Sequence, residues 1–388
     1  MVRAAIALVL LAEVAGASTV RSQSAFFHAP SFIRVGEGSG TLALVDVNGD
    51  GHLDLLTVHL LTRRIGVHPG DGRGGFTTAA SSMTLDFAPG AMAYGDVTGD
   101  GRTDLVVASR DERHEYVHVL AGDGRGGFRV TEAARYVAAD SFRFYKPKVV
   151  LADVTGDGAA DIVTGNGRRN SIEILRGDGR GAFSGAAVVM MDEGGDYYSW
   201  TVGDVDGDGH PDLVTTRDEG PRTAGRLTLR RGNGQGGFGT AIDRGSLAAG
   251  PRIAALADVD GDRRPDLVMT HADAARLSIL SNEGGGVFVP AANSPLDLVN
   301  EAFAVVVSDA DRDGQPDIVA ATVNSRQRPY DSSVTVLLGR HQASPAGSPF
   351  RVGPGAYQLT AGDVDGDGKL DVLASSFEGD SVTLLRGR

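Results

Sequence analysis

Seven times along this chain, a nine-residue run places Asp at its first, fifth and ninth positions and an oxygen-bearing side chain at its third. In order, the four oxygen positions are Asp46, Asn48, Asp50 and Asp54; Asp96, Thr98, Asp100 and Asp104; Asp153, Thr155, Asp157 and Asp161; Asp204, Asp206, Asp208 and Asp212. The last three sets are Asp258, Asp260, Asp262 and Asp266; Asp309, Asp311, Asp313 and Asp317; Asp363, Asp365, Asp367 and Asp371. Carboxylates at alternate positions of a short loop wrap their oxygens round one point, which is the chemistry of Ca²⁺, a hard cation that takes about six to eight oxygens at about 2.3–2.6 Å. A glycine at the sixth position allows the φ > 0 turn that brings the chain back round the ion.

A single Asp-Gly-Asp-Gly run needs no metal, because Asp and Gly form turns for reasons of their own. Seven copies that all keep the ninth Asp point to ion binding. These loops hold 25 of the 50 acidic residues, and seven divalent ions would take the formal charge from −13 to about +1. The acidity is therefore expected to mark cation loops. Up to seven Ca²⁺ sites are expected, weaker where Thr98 and Thr155 replace a carboxylate, where Arg263 replaces the turn glycine, and where Arg312 takes the fourth position.

Successive runs begin 50, 57, 51, 54, 51 and 54 residues apart, a period that signals a repeat array. Each is followed by a short β-branched apolar stretch such as Leu105–Ala108, then by an alternating stretch such as Ser171–Leu175, then by a glycine turn ending in Phe, such as Gly70–Phe76. Those features read as strands joined by tight turns, with no helical period. Four short strands per unit and seven units predict an all-β, seven-bladed β-propeller, whose closure removes exposed sheet edges. The seventh unit stops at Arg388 before a fourth strand, while Ser31–Gly36 stands ahead of the first unit. The N-terminal segment is thus expected to complete the last blade.

On its Asp-x-[Asp/Asn]-x-Asp-Gly-x-x-Asp loops and Gly-Asp-Gly-x-Gly-x-Phe turns, the chain resembles the FG-GAP or VCBS repeat family over about residues 25–388. That family includes the propellers of integrin α subunits and of many secreted bacterial proteins. The resemblance implies calcium between the first two strands of a blade, and a role in adhesion, glycan binding or display of a partner surface. Some relatives attach such a propeller to an enzyme.

Arg3, the apolar run Ala4–Ala12 and Ala15-Gly16-Ala17 form a secretory signal pattern, so residues 1–17 are expected to be a signal peptide and 18–388 one propeller domain. No later stretch reaches the 18 or more apolar residues of a membrane span. Zero cysteines leave the fold to its core and its metal. An exported bacterial protein, secreted, periplasmic or at the cell surface, is the consistent expectation.

Three motif matches are refused. His114-Glu-Tyr-Val-His118 fits a zinc helix signature, but it falls on an expected strand, where residues four apart are separated by roughly 13 Å. The Gly-x-Gly-x-x-Gly runs at Gly70 and Gly122 open strands where a dinucleotide fingerprint must open a helix. Arg176-Gly177-Asp178 lies in a glycine turn. Nucleic acid is not an expected partner of so acidic a chain.

Alternating connections place the calcium loops and glycine turns on one face and the irregular connections on the other. On that other face, aromatics crowd the entries to two inner strands: Phe142, Phe144 and Tyr145, then Tyr197, Tyr198 and Trp200. They are expected to form a shelf for a glycan or an extracellular protein, the apolar stacking surface such ligands need. The expected function is a non-catalytic binding or adhesion module. The alternatives are a polysaccharide lyase or hydrolase, drawing on His271 or His114, and a purely structural surface protein.

Overall fold

Each stretch that follows a ninth-position Asp is β-branched, apolar and bounded by glycine loops, so it packs best as a pleated strand with both faces covered. In the computed structural model these second strands are buried throughout, as in Asp54–His59 and Asp266–His271. The structure describes residues 26–77, 81–110, 114–137, 148–166, 171–190, 197–218, 223–272, 274–339 and 348–388. The expected signal peptide, and Phe142, Phe144 and Tyr145, lie outside the described residues.

Seven antiparallel sheets stand in a ring, six with their strands side by side in chain order and the seventh completed by an N-terminal strand. The inner strands are Ser39–Val45, Pro89–Gly95, Val149–Ala152, Tyr197–Gly203, Pro251–Ala257, Glu301–Ser308 and Leu359–Gly362, one per blade. Among the described residues there is no helix. In the fifth blade two short segments, Phe288–Pro290 and Leu296–Asp297, share the outer position against Ala274–Asn282. Apolar clusters fill the spaces between neighbouring blades. Leu56, Val58 and Ile65 of blade 1, for example, pack with Leu105, Val107 and Leu120 of blade 2.

The ring closes as expected. Ser31–Arg34 pairs antiparallel with Ser381–Leu385, Ser31 opposite Leu384 and Arg34 opposite Ser381, so the seventh sheet is built from both ends of the chain. The expected segment runs to Gly36, but its last two residues leave the ladder and donate their N–H groups to the Asp380 carbonyl at 2.9 and 3.0 Å. Upstream, Phe27 bridges Gly387, is 2% exposed, and stacks edge-on to Phe350.

Candidate metal centres and the opposite face

The ninth-position aspartates do more than the sequence suggested. Asp54, Asp104, Asp161, Asp212, Asp266, Asp317 and Asp371 are at most 1% exposed. In each, one carboxylate oxygen accepts the N–H of the loop's second residue, as Val205 to Asp212 at 3.1 Å. The other accepts an N–H at the start of the glycine turn or its equivalent, as Gly232 to Asp212 at 2.8 Å and Gly387 to Asp371 at 2.9 Å. A buried donor left unpaired costs about 1–3 kcal/mol, so this residue ties two loops together before any metal is considered. Burial outweighs those bonds in raising the carboxyls of Asp54, Asp212, Asp266 and Asp317, and lifts Asp371 to about 6.

The first-position aspartates shape the loops from within. Asp204 accepts the N–H groups of Gly207 and Gly209 at 2.7 and 2.8 Å, and Asp46 treats Gly49 and Gly51 alike. Arg263 and Arg312 keep the loops in this form by adopting φ of 69° and 63°, the left-handed region that costs a non-glycine residue about 1–2 kcal/mol.

Carboxylate oxygens converge in four loops: Asp204, Asp206 and Asp212; Asp258, Asp260 and Asp262; Asp309, Asp311 and Asp317; Asp363, Asp365 and Asp371, each set within 4.8 Å. These are the four loops with Asp at the third position. Two of them carry the Arg substitutions, so carboxylates converge in those loops as well. Outside the converging sets stand Asp266 and three of the four fifth-position aspartates, Asp208, Asp313 and Asp367, of which Asp367 pairs with Lys369 at 2.7 Å. In the first three loops, Asn48 donates to Asp54 at 3.4 Å, whereas the hydroxyls of Thr98 and Thr155 are buried with no hydrogen-bond partner. All-oxygen donor sets and two orphaned hydroxyls at the third position fit a hard divalent cation. Meanwhile an arginine from the end of the third strand stands beside two of the third-position carboxylates, Arg231 at 3.0 Å from Asp206 and Arg386 at 3.9 Å from Asp365.

The loops and glycine turns share one face, and they interlock. A turn glycine donates its N–H to the second residue of the preceding blade's loop: Gly74 to Val364 at 3.0 Å, Gly126 to Val47 at 3.1 Å, Gly236 to Val154 at 2.8 Å and Gly286 to Val205 at 3.0 Å.

On the other face a belt of buried polar side chains, which sequence reasoning missed, holds the connections into the inner strands. His59 Nδ1 meets the Glu37 carbonyl at 3.0 Å, and His271, at the same position of its strand, meets that of Ala249 at 2.9 Å. Ser376 donates to the Pro354 carbonyl at 3.1 Å. Their shared place, five residues after the ninth Asp, was a signal readable from the repeat alignment. His118 stacks flat on Phe87 at 3.4 Å and its Nε2 meets Ser109 Oγ at 2.8 Å. Its segment, His114–Gly122, is a strand, the reason given for refusing zinc there. Burial lowers the pKa of His59, His68 and His271, and that of His118 to about 4.

The expected aromatic shelf requires correction at Trp200. Trp200 is 1% exposed and packs between blades 3 and 4 with Val163, Ile172, Ile174 and Leu213. It sits in the middle of an inner strand whose alternation turns it toward the neighbouring blade, and the Lys148 ammonium lies 5.0 Å from its ring. Tyr197 and Tyr198 begin the same strand. A different aromatic group lies at the junction of blades 6 and 7. Tyr357 packs edge-on to Phe303 at 4.9 Å, Tyr330 at 5.9 Å and Phe377 at 6.1 Å, all four half-buried. Arg328 lies over the Tyr330 ring at 4.8 Å and pairs with Glu378 at 3.2 Å. Tyr330 and Phe377 come from the second connections of their blades, so this group borders the face opposite the aspartate loops. Its residues are spread over some 75 positions of sequence, which hid it, whereas the shelf residues were adjacent.

Fold and loops together define a β-propeller with aspartate-rich loops that could hold a metal. The chain belongs to the FG-GAP repeat family. The FG-GAP-like repeat matches residues 46–107, 96–164, 153–215 and 258–320, and the FG-GAP repeat matches 197–237. No curated protein matches it. Among solved structures it is similar to an Agrocybe aegerita lectin that recognises non-reducing terminal N-acetylglucosamine, with 20% identity, 89% of this chain and 87% of that one covered, and a TM-score of 0.52. It is similar to BBS1N in complex with ARL6DN, at 13% identity, 93% and 96% coverage and a TM-score of 0.59. A rhamnogalacturonan lyase of Bacillus licheniformis follows at 15% identity, 90% and 76% coverage and a TM-score of 0.44. At these identities the likeness shows the fold alone.

Proposed function

We propose that this protein is an exported, calcium-loaded, non-catalytic module that binds a glycan or an extracellular protein through its non-calcium face. The observation that carries the reading is the half-buried group of Phe303, Tyr330, Tyr357 and Phe377, edged by Arg328 and Glu378. Aromatic faces beside a few charged groups suit sugars and peptide side chains alike. A glycan-binding lectin and a propeller in complex with a partner use the same overall form, which supports binding as the role. Of the candidate bases His271 and His114, His271, at 3% exposure and bonded to Ser278 and the Ala249 carbonyl, is poorly placed as a general base. Calcium, when bound, would neutralise the clustered carboxylates. Asp204, Asp206 and Asp212, with their counterparts in the other converging loops, would hold it.

A glycan array run beside an extracellular-protein capture screen tests the reading. A ligand whose binding falls at least about tenfold in Tyr330→Ala or Phe377→Ala, in protein of unchanged melting temperature, is the expected result. Release of new reducing ends from a polysaccharide panel would move the protein to the enzymes. Absence of any ligand would leave a structural role.

A further inference from the structure

The interlock on the calcium face has a gap. Of the five glycine turns, that of blade 3, Gly177–Phe183, lacks the latch its equivalents make: Gly181 forms no hydrogen bond to the Val97 carbonyl. Turn 3 differs from turns 1 and 2 by one methyl group. In the first two turns a Cβ at the sixth position would come within 2.4 Å of the second-position carboxylate, Gly75 on Asp71 and Gly127 on Asp123. Turn 3 has Ala182 there together with Asp178. The Ala182 N–H to Asp178 bond is 3.0 Å where the equivalent bonds of Gly75 and Gly127 are 2.8 Å. Turn 5 also carries a side chain at this position, Val287, but its second residue is Glu283, whose carboxylate takes no turn N–H, and its latch is intact.

Beside this turn, a cleft of about 720 Å³ lies between blades 2 and 3. Arg102, Arg129 and Arg180 line it, together with Asp100, Asp123 and Phe128, so cations outnumber carboxylates three to two. Arg102 stands 3.5 Å from Asp100. Arg129 and Arg180, both exposed, have no ion-pair partner among the described residues. In a chain of net charge −13, two guanidinium groups thus stand side by side without an ion pair among the described residues, and such groups grip carboxylates with two parallel hydrogen bonds. Phe128, half-buried against the core between blades 1 and 2, supplies an apolar part of the cleft wall. We propose that this cleft is a binding site for an acidic saccharide, a pyranose whose carboxylate is held by Arg129 and Arg180 while its ring rests against Phe128. The site is separate from the aromatic group of blades 6 and 7, and it lies on the calcium face.

Titration calorimetry in calcium-replete buffer, with a mannuronate trimer against mannotriose, isolates the carboxylate. The expected result is binding of the acidic trimer alone, weakened about tenfold or more in Arg180→Ala and in Arg129→Ala at equal free calcium. Ala182→Gly, which gives turn 3 the residue of turns 1 and 2, should restore the latch and abolish binding without lowering the melting temperature. Equal binding of both trimers, indifference to the two arginine substitutions, or full displacement by equimolar sulfate would each overturn the proposal. Should the acidic trimer not bind while the array yields a ligand sensitive to Tyr330→Ala, the cleft proposal falls and the reading of the other face stands.

Discussion

Asp206 and Asp212 look alike in sequence, yet they answer to different forces. Both join the converging carboxylates, but Asp212 is fully buried and also satisfies two backbone donors, whereas Asp206 faces Arg231. Asp212→Ala should therefore cost about 2 kcal/mol or more with or without chelator, because two N–H groups lose their acceptor. Asp206→Asn should lose only the stability that calcium adds. Denaturant titrations of both variants in calcium and in EDTA separate these outcomes; equal behaviour in the two media for Asp206→Asn would deny it a ligand role. Trp200→Ala should cost about 3–5 kcal/mol, as expected of a core ring, and Trp200 fluorescence should resist a neutral quencher. The oxygen positions of the loops were legible because their spacing is fixed by one turn of chain. The exposure of Trp200 was not, since an aromatic in an inner strand can face a channel or a neighbouring blade, and the choice depends on what that blade presents.

Strands and their turns were largely legible from pattern alone: period-two apolar runs, glycine turns, and a unit length that left room for four strands. What escaped was how one blade meets the next. The latches from turn glycines to loop carbonyls, and the polar belt of His59, His271 and Ser376, are contacts between segments that repeat-by-repeat reading treats separately. The belt carries a pH signature. Burial depresses His118 from an ordinary 6.5 to about 4, so the native state favours its neutral form. Its stability contribution is complete above about pH 6.5 and is lost as pH falls toward 4, by up to about 3 kcal/mol. His118→Gln should reduce the loss of stability between pH 7 and pH 5 relative to the parent. Taking that difference cancels the opposing contribution of the buried aspartates, whose raised carboxyls favour the fold at low pH. Superimposable pH profiles for the two proteins would show that His118 does not titrate between the states.

Across the whole ring, seven loops crowd carboxylates on one face, and folding should be linked to calcium by mass action. Chelation should lower the melting temperature by many degrees, reversibly. An unchanged curve in protein shown to be calcium-free would refute the link. A chain beginning at Gly38, which lacks Ser31–Arg34, should melt far below one beginning at Ser18 or should aggregate, because the last blade would lose its outer strand and expose an edge.

The pairing of Ser31 with Leu384 also sets a timetable. Of the ring's strands, Ser31–Arg34 leaves the ribosome before the rest and has no partner until Ser381–Leu385 emerges, so it trails as an unpaired edge while the blades between assemble from short-range hairpins. Final closure joins segments at nearly maximal separation in sequence, the most entropically demanding contact in the molecule. Refolding is thus expected to show a fast phase as blades form and a slow one as the ring shuts, and partner molecules that collide during the interval can exchange that strand with one another.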